Sequence, residues 1–178
     1  IMTRFRALLF SLLAVAHSLA QKDDSLDSET PEKLPAPPPS PLDDCDPEMI
    51  GFELITGNVF SAPGNVLDSI PGTLMLTDCL ETCQGNESCQ SVNYETGLCV
   101  LFSSNADVLP GALTKSQFPV FTIYAQKSCL GVKPCERAWC IDRVQNYRLT
   151  GYVRSQQVVG SRQECLDMCL GENEFSCR

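Results

Sequence analysis

The sequence predicts an α+β fold: a small disulfide-rich domain that occurs twice in tandem. Three observations carry that prediction. A cysteine pattern recurs in register, as CLETC-x5-C at Cys79, Cys83 and Cys89 and as CLDMC-x7-C at Cys165, Cys169 and Cys177. Each C-x3-C pair lies in a segment with helix start and stop signals. Around the first pair run short apolar and polar alternations separated by turn residues, the pattern of strands.

The register reaches beyond these clusters. Cys45 precedes the first as Cys135 precedes the second, at offsets of 90 and 86 residues, and Gly85 aligns with Gly171 at 86. A period near 90 is too long for a solenoid unit, so each copy is expected to be a globular domain with its own core.

The opening stretch IMTRFRALLFSLLAVAHSLA has a basic start at Arg4 and Arg6, an apolar run from Ala7 to Ala16, and small residues at Ser18 and Ala20. It reads as a secretory signal peptide over residues 1–20, cleaved between Ala20 and Gln21. The apolar run is about half the roughly 20 residues that span a bilayer, and no later segment approaches that length. Eleven cysteines in 178 residues agree with an oxidising, extracellular setting.

Cleavage removes Arg4 and Arg6, which carries the formal charge from -9 to -11. Nucleic acid and other polyanions are disfavoured as partners by that mean field. Cleavage also removes His17, the only histidine. A histidine-activated nucleophile and a zinc site with histidine ligands are excluded from the mature chain. The C-x3-C spacing is not the paired C-x2-C of zinc sites, so no metal or cofactor is expected. Asp78 and Glu81 suit the start of a helix dipole and single out no acid–base pair, so the chain reads as non-enzymatic.

Residues 21–44, QKDDSLDSETPEKLPAPPPSPLDD, mix acids with six prolines and hold almost nothing able to build a core. They read as an extended acidic, Pro-rich linker. From Cys45 to Cys129 the composition becomes that of a compact domain. Strands are expected at Phe52 to Thr56, Cys89 to Tyr94, Leu98 to Phe102 and Pro119 to Gln126. In the last, Phe121, Ile123 and Ala125 alternate with Val120, Thr122 and Tyr124, which predicts a half-buried strand. Glu95-Thr96-Gly97 reads as a hairpin turn with glycine at the positive-φ position.

The helix is expected over Thr77 to Gln84, with Thr77 as N-cap and Gly85 at C′. In the second copy Ser161-Arg162-Gln163-Glu164 is a capping box, and Gly171 ends the helix. Cys79 and Cys83 share one helix face, where they are poorly oriented to bond each other. They can staple the helix to two separate pieces of chain, with Cys89 and Cys99 as the nearest candidates. Cys45 and Cys129 then bracket the domain, and a bond closing about 85 residues is worth roughly 4.5 kcal/mol. Six cysteines allow 15 connectivities, and the sequence alone leaves them open.

The second copy is expected over residues 135–178, cut off at Arg178 before counterparts of the later strands. Ile1 before Met2 suggests a raw translation. Cys140 has no counterpart in the first copy, where Ile50 stands. Asn86-Glu87-Ser88 is an N-glycosylation sequon in the loop between Cys83 and Cys89, which makes Asn86 a candidate glycan site. Trp139, the only tryptophan, is expected to pack on the second copy's first strand.

Taken together, these residues resemble the PAN or apple domain, whose central helix carrying C-x3-C is wrapped by an antiparallel sheet. The resemblance implies the pairs Cys45 with Cys129, Cys79 with Cys99, and Cys83 with Cys89. If Cys169 pairs with Cys177 in the same way, then Cys135, Cys140 and Cys165 await partners further on. The segment TDCLETCQGNESCQSVNYETGLCVLF is similar to PAN modules of arthropod and nematode apical extracellular matrix proteins of the no-mechanoreceptor-potential-A type, which carry a zona pellucida domain.

That resemblance implies a non-catalytic pair of modules in an apical or cuticular matrix. Its partners would be extracellular proteins, carbohydrate, or further copies of the matrix protein. Two tethered modules would gain avidity. The alternatives are the N-terminal apple domains of a secreted serine protease zymogen and a free-standing lectin-like PAN protein.

Overall fold

The computed structural model describes residues 42–175 and residue 177. The expected signal peptide, the Ala20/Gln21 junction and the linker as far as residue 41 lie outside the described residues. The strands are β1 Ile50–Thr56, β2 Asn58–Phe60, β3 Val66–Pro71, β4 Ser91–Glu95, β5 Leu98–Phe102, β6 Leu113–Lys115, β7 Ile123–Cys129 and β8 Ile141–Asp142. The helices are α1 Leu76–Gln84 and α2 Arg162–Leu170. Six strands form one sheet in the order β3-β5-β4-β7-β1-β8, and β2 pairs with β6 beside it. All pairings are antiparallel except β1 with β8.

Helix α1 packs its Cys79, Leu80 and Cys83 against the sheet. Its N-cap is Met75, which makes no side-chain capping bond, so Thr77 lies inside the first turn and does not cap the helix as expected. Gly85 closes the helix at φ -74, not in the left-handed conformation. The chain continues at once into the tight Cys83–Cys89 loop, where Asn86 N–H donates to the Cys83 carbonyl and Cys89 N–H to that of Asn86. That loop needs a right-handed exit, so no positive φ is required. Gly97, in the β4–β5 hairpin, does take a positive φ of 95, where a side chain would be strained.

Strands β1, β4, β5 and β7 alternate between two covered faces. Phe52 and Leu54 of β1, Val92 and Tyr94 of β4, and Ala125 of β7 join the cluster under α1. Ile55, Phe102 and Tyr124 point the other way and meet Phe60, Ala62 and Ala106. Phe60 sits edge-on to Phe102, with ring centroids 5.2 Å apart. The expectation of a half-buried strand at Pro119 to Gln126 is therefore corrected. The strand starts at Ile123, Phe121 before it is 64% exposed, and Tyr124 through Ser128 are all buried. The β2–β6 pair and the loop after β5 cover the face that period-two reasoning assigns to solvent.

Five disulfides staple the described chain. Cys45–Cys129, Cys79–Cys99 and Cys83–Cys89 are the three pairs that the resemblance implies, and Cys169–Cys177 is joined as well. Cys135 and Cys140 bond each other, which corrects the expectation that both await partners further on. Their Cα atoms lie 5.7 Å apart, within ordinary disulfide reach. Cys165 is a free, exposed thiol.

Within residues 135–177 the described elements are β8 and α2. Ser161 Oγ accepts the Glu164 amide at 3.1 Å, and Glu164 reaches back to the amide of Gly160 at 2.8 Å. Gly171 ends this helix at φ -81, again without a left-handed residue. Helix α1 buries three residues and α2 buries none. The strand β8 joins the sheet of the first domain and not a sheet of a second one.

Candidate binding site

The helix side carries a cleft of about 420 Å³ between α1, the start of β1 and the 133–140 segment. Its position follows from two local features. Gly51 has no side chain, and a Cβ there would lie 2.8 Å from Leu130 Cδ1 and 3.5 Å from Pro134 Cβ. The chain leaving β7 can therefore fold back across β1. The Cys135–Cys140 bond then closes a short loop that holds Trp139 half-buried against the cluster under α1. Trp139 thus packs on the first domain, which corrects the expectation that it packs on a first strand of the second copy.

Phe52 and Leu80 contribute apolar surface to the cleft, Trp139 contributes an indole, and Glu48, Glu81 and Arg137 contribute charge. Such a mixture suits a ligand that is apolar on one side and hydrogen-bonding on the other, such as a protein loop or a sugar ring.

The reverse side of the sheet holds a buried polar network. Register aligns Glu53 of β1 with Gln126 of β7, and Gln126 with Ser91 of β4. The Tyr124 hydroxyl donates to Gln126 Oε1 at 3.1 Å and accepts the Ala106 amide at 2.7 Å. Gln126 Nε2 donates to Asp107 Oδ2 at 2.8 Å, with Glu53 Oε2 at 3.5 Å. Arg162 Nη1 lies 3.0 Å from Glu53 Oε2, its Nη2 meets Asp107, and Arg143 stands 4.0 Å from Asp107.

Burial raises the Glu53 pKa, and the two guanidiniums pull it partly back. Burial also pushes the Tyr124 hydroxyl up, so it remains a neutral donor. These carboxylates are engaged by arginines and by an amide, and no free acid–base pair is formed there. Among the described residues no cluster of His, Cys, Asp and Glu is suited to a metal ion.

Sequence reasoning missed Glu53, Asp107 and Arg162 as a set. In FELI the glutamate looks like the solvent side of a strand, and Arg162 looks like an ordinary member of a capping box. The only available signal is that residues 45–129 contain no arginine.

Asn86 is half-buried at the start of the Cys83–Cys89 loop, and its Oδ1 accepts the Ser88 amide at 2.9 Å. The Asn86 carbonyl accepts Lys127 Nζ at 2.9 Å, and burial lowers the pKa of that lysine. A second hollow, of about 290 Å³, lies beside α2 around Cys165, Tyr152 and Met168.

Residues 45–129 match the family model of the PAN domain. No curated protein matches the chain, and no solved structure does. The matched span contains α1, β1 through β7 and the first three disulfides. The PAN domain is a protein- or carbohydrate-binding module. Among the described residues no helix is long and apolar enough to cross a membrane.

Proposed function

Starting from the PAN domain at residues 45–129, we propose that this chain is a secreted, non-catalytic binding protein. It makes protein–protein or protein–carbohydrate contacts in an apical or cuticular extracellular matrix. The observation that carries the reading is the PAN match itself, over a domain held by three disulfides. The signal-peptide pattern of residues 1–20 and the eleven cysteines support secretion. The resemblance of Thr77 to Phe102 to PAN modules of zona pellucida matrix proteins supports the apical setting.

Residues 135–178 belong, on this reading, to a second unit of the same kind. Its α2 repeats the nine-residue length of α1, the C-x3-C pair and the terminal glycine. The cleft walled by Trp139 is the surface offered to a ligand.

The test uses secreted chain, residues 21–178, immobilised and probed with an array of neutral and acidic oligosaccharides and with the purified chain itself. Saturable binding to a glycan or to a second copy, weakened at least tenfold by Trp139→Ala, supports the reading. Binding to neither, or hydrolysis of any array member, contradicts it. The transcript beyond Arg178 separates the matrix setting from its rivals: a zona pellucida domain favours it, a serine protease domain or an immediate stop does not.

A further inference from the structure

Residues 45–129 hold nine Asp and Glu residues against Lys115 and Lys127, with no arginine, whereas residues 130–178 hold seven Lys and Arg against six acids. The charge difference is resolved at one place. Glu53 is 1% exposed and Asp107 faces it, and the cations beside both are Arg162 of α2 and Arg143 just after β8. Lys127, the buried lysine of the first domain, is turned to the Asn86 carbonyl.

Two further contacts join the same two parts, and a third ties α2 to the chain just after β7. Strand β8 lies along the edge of β1 at Glu53 and Leu54, and the Arg143 amide donates to the Leu54 carbonyl at 2.7 Å. The Gly131 amide donates to Asp167 Oδ1 of α2 at 2.8 Å, and a Cβ at Gly131 would stand 2.7 Å from Asp167 Oδ2. Asp167 is in turn held by Gln163 Nε2 at 3.0 Å.

We propose that Glu53 and Asp107 form an acidic socket on the PAN domain whose occupant is Arg162 of the chain's own second unit, so that the two units are clamped as one rigid body. The socket selects a guanidinium because its planar fork can meet two carboxylates at once, which a single ammonium does poorly. Removing the arginine leaves a buried carboxylate without its cation, the costly way to break such a pair. The strand β8 also covers backbone groups at the edge of β1 that another chain would otherwise pair with. The consequence for binding is that the two units present one composite surface. Avidity between independently moving modules, expected from the sequence, does not apply between them. This inference concerns the joint alone and does not depend on which ligand the PAN domain takes.

Amide hydrogen exchange and ¹⁵N relaxation on the secreted chain, residues 21–178, test it. In the wild type, residues 45–129 and 141–170 should share one rotational correlation time, and the Arg143 and Gly131 amides should be protected. Arg162→Ala should speed exchange at both amides tenfold or more while β4, β5 and β7 keep their protection. Arg162→Lys should fall between. If Arg162→Ala loses protection throughout the sheet, the half-exposed Asp107→Asn replaces it, with the same two amides as the readout. Independent tumbling of the two parts in the wild type would overturn the clamp. So would unchanged exchange at Arg143 and Gly131 in the folded variant.

Discussion

Removing the bond between Cys45 and Cys129 is the perturbation whose cost can be worked most directly. The two residues are separated by 84 positions, so the bond closes almost the whole PAN domain. Loop-closure entropy for that length is about 4.5 kcal/mol at 25 °C, against about 3.3 for Cys79–Cys99 at a separation of 20 and about 2.2 for Cys83–Cys89 at 6. The native state gives little back, because Cys129 ends β7, where Ile50 of β1 lies opposite it, and Cys45 stands only five residues before Ile50. The double variant Cys45→Ala/Cys129→Ala should therefore keep its fold while losing most of that 4.5 kcal/mol.

Urea unfolding at neutral pH measures the loss. Fluorescence of Trp139, the only tryptophan, is the probe, because its ring packs on the core under α1. With a slope of about 1.5 kcal/mol per molar urea the midpoint should fall by about 3 M. The order of the three variant midpoints should follow the three separations. A loss below about 1 kcal/mol for the longest loop, or a larger loss for Cys83–Cys89 than for Cys45–Cys129, would refute the entropic reasoning.

Phe60→Ala should cost about 3–5 kcal/mol in the same assay, since Phe60 anchors the second cluster, whereas exposed Phe121→Ala should stay within about 0.5; equal costs would contradict the two-faced core. Tyr124→Phe should cost about 1–3 kcal/mol, because it strands the Ala106 amide and Gln126 Oε1 in the interior. Glu53 has a folded pKa above its ordinary 4.5, so folding takes up a proton there. The stability it contributes is fully present below pH 4.5 and is lost as pH rises through the folded value. Wild-type stability minus that of Glu53→Gln should fall over that range, and a flat difference would contradict the burial argument. Glycosidase treatment of protein secreted from a eukaryotic host should lower its mass, and Asn86→Gln should abolish the shift; a wild type with no shift removes Asn86 as an occupied site.

What the chain reveals before folding is uneven, for physical reasons. The β4–β5 hairpin is legible because Gly97 marks a turn between two apolar runs, and α1 because two half-cystines and Leu80 share one face. Strand β3, VLDSIP, is exposed along nearly its whole length at the sheet edge, so no alternation announces it. Strands β2 and β6 are three residues each and exist through tertiary pairing. Their coverage of the reverse face helps turn β7 from a half-buried strand into one buried from Tyr124 to Ser128.

The cysteine spacing is nearly sufficient for residues 45–129 and misleading for residues 135–177. There Cys135 and Cys140 are close enough to bond locally, and the register with Cys45 suggests a longer bond. The joint between the PAN domain and α2 is least legible, because Glu53, Asp107 and Arg162 come together only when β1, the loop after β5 and α2 are assembled.

The central claim is a secreted PAN-type binding domain framed by Cys45, Cys79, Cys83, Cys89, Cys99 and Cys129. Peptide mapping of the secreted protein under non-reducing conditions tests it most directly. Cys45 should be linked to Cys129, Cys79 to Cys99 and Cys83 to Cys89, with an amino terminus at Gln21. Free thiols at any of these six positions, or a different set of links among them, would contradict it.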